Sequence, residues 1–369
     1  MISSFAFPTS IVHGPGALGE VPARLAARGL RRPLIVTDPG LLRTPAFQLL
    51  REIVPNPAIF SEVHPNPVEQ DVAGAAAAFR SGGCDSVIGF GGGSALDVAK
   101  IARAASAPLD KPWHQLTWQD PLENLPPLIA IPTTAGTGSE VGRSSVITIG
   151  DTKRVVFHPA LLAMVVILDP RLTVDLPPHL TAATGADALT HCIESFTSPV
   201  YHPLCDAIAL EGLRLVFEYL PRAVENGSDL EARAQMQMAA TMGGIAFQKD
   251  LGAAHSLSHP LSAHFHLNHG LANALCLLPV MRFNAQRKPG LYRRIGITLE
   301  LPDPSDEAVI AATEALLDRI GIKRGLRGRG IDEAALDRLA DAAFADSCHP
   351  TNPVPTSRDD LRALYVEAL

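Results

Sequence analysis

No CxxC pair occurs in this sequence. The five cysteines (Cys84, Cys192, Cys205, Cys276 and Cys348) are scattered and odd in number. That pattern argues against a disulfide framework and against a cysteine-based zinc site. There is no Lys/Arg-rich run, and the formal net charge is −7, so neither nucleic acid nor an anionic membrane is expected as a partner. No apolar run reaches the roughly 18 residues a membrane helix needs. The opening MISSFAFPTS lacks a basic stretch followed by an apolar core. No secretory leader is expected from it, and a reducing, cytoplasmic setting is the default. Internal repeats and low-complexity segments are missing too. What remains is globular in character: 369 residues, 47% hydrophobic and 19% charged, enough for two domains and a sizeable core.

The first half alternates short β-branched runs with Ala-rich stretches of helical period. Pro33–Thr37, Asp85–Phe90, Leu128–Pro132 and Met164–Leu168 read as buried strands. Val21–Arg28, Val68–Arg80 and Ala95–Ser106 read as the helices between them. Near-continuous apolar strands alternating with helices predict a parallel, doubly wound sheet. From about Leu180 the strand-like runs stop. Thr184–Phe196, Leu204–Leu220, Leu230–Phe247, Leu251–His264 and Leu271–Asn284 are helical in period. Two more helices, at about Asp306–Ile320 and Ile331–Ser347, precede a Pro-rich tail at His349–Pro353. The segment Pro170–Pro178 (PRLTVDLPP) is the natural boundary. The expected architecture is an α/β dinucleotide-binding domain over 1–176 and an all-helical domain over 177–369, with the site in the cleft between them.

Two glycine motifs compete for a nucleotide. Gly14-Pro15-Gly16-Ala17-Leu18-Gly19 matches GxGxxG, with Asp38 about twenty residues on. Pro15, however, removes a backbone donor from the turn. Gly91-Gly92-Gly93-Ser94 is the stronger candidate, because it lies between a strand and the Ala95–Ser106 helix. Glycines there let the backbone approach an oxyanion, and the helix start offers free N–H groups. Asp97 and Lys100 follow in the first turns of that helix. A second Gly/hydroxyl loop, Thr133-Thr134-Ala135-Gly136-Thr137-Gly138-Ser139-Glu140, follows the Leu128–Pro132 strand. Asp38 ends its own strand at the carboxyl edge of the sheet, where a carboxylate accepts from a ribose hydroxyl and repels a 2′-phosphate. The competing reading is a turn Asp supported by Pro39-Gly40.

Asp187 and His191 stand four apart on a predicted helix, so their side chains share one face. His255, His259, His264, His266 and His269 follow within fifteen residues, and His255 and His259 are again four apart. A carboxylate among imidazoles suits Fe(II) or Zn(II) rather than Ca or Mg. Spacing alone leaves open which of the five histidines bind.

Four motifs now stand in order: Gly91–Ser94 with Asp97 and Lys100, Pro132–Glu140 (PTTAGTGSE), Gly185–His191, and His255-x-x-x-His259-Pro260 through His269-Gly270. Together with Asn66-Pro67 and Asn352-Pro353, they make the chain resemble the iron-containing (group III) alcohol dehydrogenase family nearly end to end. The resemblance implies a dehydroquinate synthase-like architecture and a metal-dependent, NAD(H)-linked alcohol dehydrogenase. It implies Asp187, His191, His255 and His269 as the four metal ligands. His259 would be a non-ligand histidine near substrate and nicotinamide, relaying the hydroxyl proton to solvent, with His264 and His266 as bystanders. Gly92, Gly93, Ser94 and Asp97 would face the pyrophosphate, with Thr133, Thr134, Thr137 and Ser139 around it. Asp38 would take the adenosine ribose and Lys153 would contact the cofactor, while Gly14–Gly19 would not be the phosphate loop.

The implied cofactors are NAD and a divalent metal, Fe(II) with Zn(II) as the alternative; a homodimer acting on a small-molecule alcohol or aldehyde is expected, in the cytoplasmic setting already taken as the default. Phe247 is expected as an apolar wall. Arg143 is expected in an ion pair, with an anionic substrate tail as its alternative partner. Metal-independent relatives resembling maleylacetate reductase would share the fold, as would glycerol dehydrogenase and dehydroquinate-synthase-like lyases. The intact TGSE loop and full ligand set favour the metal-dependent enzyme. A non-catalytic metal- or nucleotide-binding relative is the alternative from another class.

Overall fold

The computed structural model describes residues 5, 7, 9–54, 56–150 and 152–369. Part of the opening decapeptide read for a leader thus lies outside the described residues, as does residue 151. The chain divides into two compact units. One comprises Ala6–Thr134 with Gly138–Leu176; the other comprises Pro177–Leu369 together with Phe5 and Ala135–Thr137.

The first unit holds strands β1 (Ser10–His13), β2 (Pro33–Val36), β3 (Ala58–Phe60), β4 (Ser86–Gly91), β5 (Leu128–Pro132), β6 (Ser144–Ile149), β7 (Thr152–Phe157) and β8 (Val165–Leu168). Its helices are α1 (Val21–Ala26), α2 (Pro45–Ile53), α3 (Glu69–Ser81) and α4 (Gly93–Ser106). Six strands form one sheet in the order β1-β8-β5-β4-β2-β3, with parallel pairing throughout. The expected doubly wound fold is therefore present. β2, β4, β5 and β8 are buried at every residue, which is why they read as unbroken apolar runs rather than alternating ones. Ile35, Ile88, Phe90, Ile129, Ile131 and Ile167 pack with Phe47 and Leu50 of α2 in one core. Each such side chain contributes about 1.5–3 kcal/mol on burial.

The sequence reading missed α2, β3 and the antiparallel β6–β7 hairpin. The hairpin carries Ser, Thr, Lys and Arg between its apolar residues, and that composition hid its strands. Pairing supplies what propensity did not, from Ser144 opposite Phe157 to Ile149 opposite Thr152.

The second unit is helical: α5 (Pro178–Thr197), α6 (Pro203–Glu225), α7 (Leu230–Ala246), α8 (Ala253–Phe265), α9 (His269–Arg287), α10 (Arg293–Thr298), α11 (Asp306–Arg319), α12 (Leu336–Phe344) and α13 (Arg358–Ala368). α5 begins earlier than its apolar period suggests, because a proline in the first helical turn has no hydrogen bond to lose there. α13 lies beyond the Pro-rich tail and was not expected. Ser357 and Asp360 cap each other's backbone N–H at its start. α5 is the axis of this unit, buried along most of its length, with Leu189, Cys192 and Ile193 in a core shared with Leu213, Leu257, Leu277 and Tyr365. No helix among the described residues is long and apolar enough to cross a membrane.

Candidate active site

Asp187, His191 and Glu194 recur along one face of α5, and all three are buried. α8 brings His255 to that face. α9 brings His269, its first residue, where the Asn268 side chain accepts from Leu271 N–H and sets the start of the helix. The Nε2 atoms of His191, His255 and His269 lie 3.9, 3.9 and 3.6 Å from the Asp187 Oδ1. Donor atoms of Asp187, His191 and His255 all lie within 4.8 Å of one another. Ligands about 2.0–2.1 Å from a tetrahedral ion stand about 3.4 Å apart, so the spacing is close to that of a metal cage. Asp187 is only 2% exposed, and a carboxylate buried among neutral rings calls for a positive partner. The donor set fits a divalent ion.

The second layer supports the same reading. His255 Nδ1 is 2.6 Å from Glu194 Oε2, and the other Glu194 oxygen accepts from Ala254 N–H at 2.7 Å. A carboxylate behind an imidazole fixes the ring and turns its Nε2 lone pair inward. Burial lowers His255 to about 3 and His191 to about 4, so both rings are neutral near pH 7, as ligation requires. Burial also pushes the Glu194 carboxyl up to about 7, against the pull of the Ala254 and Gly252 N–H groups. The Phe247 ring lies 5.3 Å from the His191 ring, an apolar neighbour on that side.

His259 faces another way. Its Nδ1 is 2.7 Å from Asp346 Oδ2, and its ring stacks on His269 at 5.4 Å. Asp346 Oδ1 accepts from the Ser256 hydroxyl and from Cys348 N–H. Burial works to raise the Asp346 carboxyl, but its bonds from His259, Cys348 and Ser256 hold it well below the usual carboxylate range. His264 and His266 are exposed, the latter in a left-handed conformation ending α8. Glu194, Asn273 and Asp346 were not singled out in the sequence. Glu194 continues the Asp187–His191 face, and Asn273 stands one turn beyond His269, so helical spacing pointed to both. Asp346 had no such signal.

In the α/β unit, Gly92 is extended and opens α4, whose start carries no side-chain cap hydrogen bond. A β-carbon on Gly91, at φ 150°, would lie 2.8 Å from Ala95 Cβ, so only glycine fits this turn. Thr134 is the side chain nearest Gly92, and Thr133 N–H donates to the Gly91 carbonyl. Those positions leave backbone donors of Gly93 and Ser94 at a helix N-terminus, the arrangement that receives phosphate. The Ser94 hydroxyl itself donates to the Pro65 carbonyl at 2.6 Å.

Asp97 is engaged inside the unit rather than at that turn. It accepts from the Ser139 hydroxyl at 2.6 Å and from Val146 N–H at 2.9 Å. Lys100, with no exposed surface, donates to the Ser139 hydroxyl and the Ser144 carbonyl and lies 3.4 Å from Asp97. Asp38 is engaged as a turn residue: Oδ1 accepts from Gly40 and Leu41 N–H, while Oδ2 lies toward Gly91. Thr137 groups with the helical unit, where neighbouring Gly136 packs against Thr184. Lys153 sits on β7 opposite Thr148. The Arg143 guanidinium lies 5.5 Å from the Phe157 ring centre.

The first glycine motif is accounted for otherwise. Gly16 and Leu18 N–H donate to Asp169 Oδ2 at 3.0 and 3.1 Å, and Gly14 N–H donates to the Leu168 carbonyl. An internal carboxylate takes the donors that a phosphate would need.

Comparison with known proteins agrees with both halves. Residues 8–170 match the family "Iron-containing alcohol dehydrogenase", and residues 181–369 match "Fe-containing alcohol dehydrogenase family, C-terminal". The chain is 38% identical to 4-hydroxybutyrate dehydrogenase of Cupriavidus necator over 375 residues, covering 96% of each chain. It superimposes on 1,3-propanediol oxidoreductase with a TM-score of 0.95 at 34% identity, covering 100% of both chains. The NAD+ complex of sulfoacetaldehyde reductase from Bifidobacterium kashiwanohense gives a TM-score of 0.90 at 31% identity, covering 100% of this chain and 99% of that one. The chain belongs to the iron-containing alcohol dehydrogenase family and is an oxidoreductase that interconverts an alcohol and its carbonyl partner.

Proposed function

We propose that Asp187, His191, His255 and His269 hold one divalent ion, Fe(II) in preference to Zn(II), and that the α/β unit binds NAD. The observation that carries this reading is the convergence of three imidazole Nε2 atoms on the Asp187 Oδ1, with Glu194 behind His255. When bound, the ion supplies Lewis acidity toward the alcohol or carbonyl oxygen, and the nicotinamide supplies the hydride acceptor.

The chain's own residues do the rest. Gly92, Gly93 and the open start of α4 receive the pyrophosphate, with Ser94, Thr133, Thr134, Thr137 and Ser139 around it. Asp97 acts there through Ser139, whose hydroxyl it holds. Asp38 Oδ2 takes the adenosine ribose and disfavours a 2′-phosphate, hence NAD over NADP. Lys153 adds a cofactor contact from β7. Asp346 holds His259 by Nδ1, so the Nε2 edge is the one that passes the hydroxyl proton toward solvent. Phe247 excludes water beside His191. The same reading takes the enzyme as a cytoplasmic homodimer, the oligomeric part of which sedimentation checks.

The test is bound Fe and Zn in the purified protein, together with NADH absorbance across a panel of primary alcohols, diols, ω-hydroxy acids and their aldehydes. The acids belong in the panel because 4-hydroxybutyrate and sulfoacetaldehyde, named for two relatives, both end in an anion. Asp187→Ala and His269→Ala should each lose metal and turnover together. Metal-free protein with full activity would overturn the reading in favour of a metal-independent reductase.

A further inference from the structure

We infer that Asn273 is a positioning residue of the metal centre, its carboxamide fixing the Asp187 carboxylate in the orientation that receives the ion. The inference rests on the metal reading above and adds a residue outside the four ligands.

Asn273 stands on α9 one turn beyond His269, so the two side chains share a helix face. It is fully buried. Its Nδ2 lies 2.7 Å from Asp187 Oδ1, 3.1 Å from His255 Nε2 and 3.3 Å from His269 Nε2. The chemistry of these neighbours settles which end of the amide faces them. The Asp187 Oδ1 accepts, and His255 points its other nitrogen at Glu194, leaving Nε2 as an acceptor. An amide oxygen in that place would meet lone pairs on every side.

The cost of this arrangement argues for a role beyond packing. The Asn273 Oδ1 is buried and has no hydrogen-bond partner among the described residues. Leaving a buried carbonyl unpaired destabilises a fold, and an apolar side chain of similar volume avoids that. A position serving only the contact between α5 and α9 would therefore favour Leu. What Leu lacks is the N–H that the Asp187 oxygen accepts. One hydrogen bond occupies one lone pair of that oxygen, fixes the carboxylate rotamer, and leaves its remaining electron density for a cation.

The experiment compares wild type with Asn273→Ala and the volume-matched Asn273→Leu, as purified full-length chains stripped with a chelator. Co2+ is the probe. Its dissociation constant is read by chelator competition and its coordination by the visible d–d bands, both independent of turnover. Both variants should bind Co2+ about 10–100-fold more weakly, with altered bands. The far- and near-ultraviolet circular dichroism of stripped Asn273→Leu should match that of wild type, which separates positioning from folding. Should Asn273→Ala fail to fold, Asn273→Leu alone decides. A wild-type dissociation constant and spectrum in Asn273→Leu overturn the inference. Tighter binding overturns it as well, because the amide would then compete with the ion. If wild type takes up no Co2+, the metal reading falls and the inference with it; equal constants remove the inference alone.

Discussion

A β-carbon added to Gly270 would lie 2.0 Å from the Ala183 carbonyl oxygen and 3.0 Å from Asp187 Cβ. At this point α9 touches the backbone of α5, one residue beyond His269. Without a side chain at 270 the two helices meet closely enough for His269 to reach the Asp187 carboxylate.

Gly270→Ala should therefore push α9 off α5. Overpacking of this kind costs about 1–3 kcal/mol, but the larger effect should fall on the metal. Metal-to-protein ratio after gel filtration should drop well below that of wild type. Stoichiometric metal in Gly270→Ala would show that the close approach does not position His269.

Lys100→Met separates the two units experimentally. Lys100 is buried among Asp97, Ser139 and Ser144, and removing it leaves Asp97 without its cationic neighbour. Breaking a buried pair in this way costs about 3–5 kcal/mol. The variant should melt earlier and bind NADH more weakly by fluorescence titration. Its metal content should stay at the wild-type level, since the proposed ligands belong to the helical unit. Parallel loss of metal would contradict that division.

Asp169 gives a pH signature. Burial works to raise its carboxyl, but the bonds from Arg171 and from Leu18 N–H outweigh burial and lower it. A carboxyl depressed in the folded chain stabilises it above the ordinary Asp range, near pH 4, and that contribution is lost as pH falls through the lowered value. Asp169→Asn should lower stability at pH 7 by about 2–3 kcal/mol, the scale of hydrogen bonds to a charged acceptor. It should also flatten the acid side of the stability profile below pH 4, as read by urea unfolding. An unchanged slope there would place the acid sensitivity elsewhere.

Asp250 has φ 63° and ψ 178°, a backbone region held almost only by glycine. Such strain costs about 1–3 kcal/mol. Asp250→Gly should raise the melting temperature and Asp250→Ala should not, since alanine keeps the strained β-carbon. Equal melting temperatures for the two variants would mean that the carboxylate, not the backbone, sets the effect.

Legibility in the sequence followed the strength of local signal. β2, β4, β5 and β8 were visible because burial on both faces forces apolar runs. Asp187 and His191 were visible because helical spacing alone brings them together. His255 and His269 come from helices far along the chain, so spacing could not separate them from His259, His264 and His266; the resemblance did that. The role of Asp346 arises only from folding, which sets it against His259 across 87 positions. Asp97 shows the opposite limit. Its place in the first turns of α4 said nothing of its partners, which the tertiary structure supplies as Ser139 and Val146. The Gly14–Gly19 turn kept its sequence signature while its donors went to Asp169.

The proposed ligands come from α5, α8 and α9, so an ion bound there also ties three helices of one core together. Folding and metal supply then become linked: a free ion at a thousand times its dissociation constant adds about 4 kcal/mol to the stability of the native chain. If the proposed ion is scarce, more than turnover is lost. The unfilled protein would open more often, meet proteases more often, and fall in abundance, so that its level would follow the available metal without any dedicated regulator.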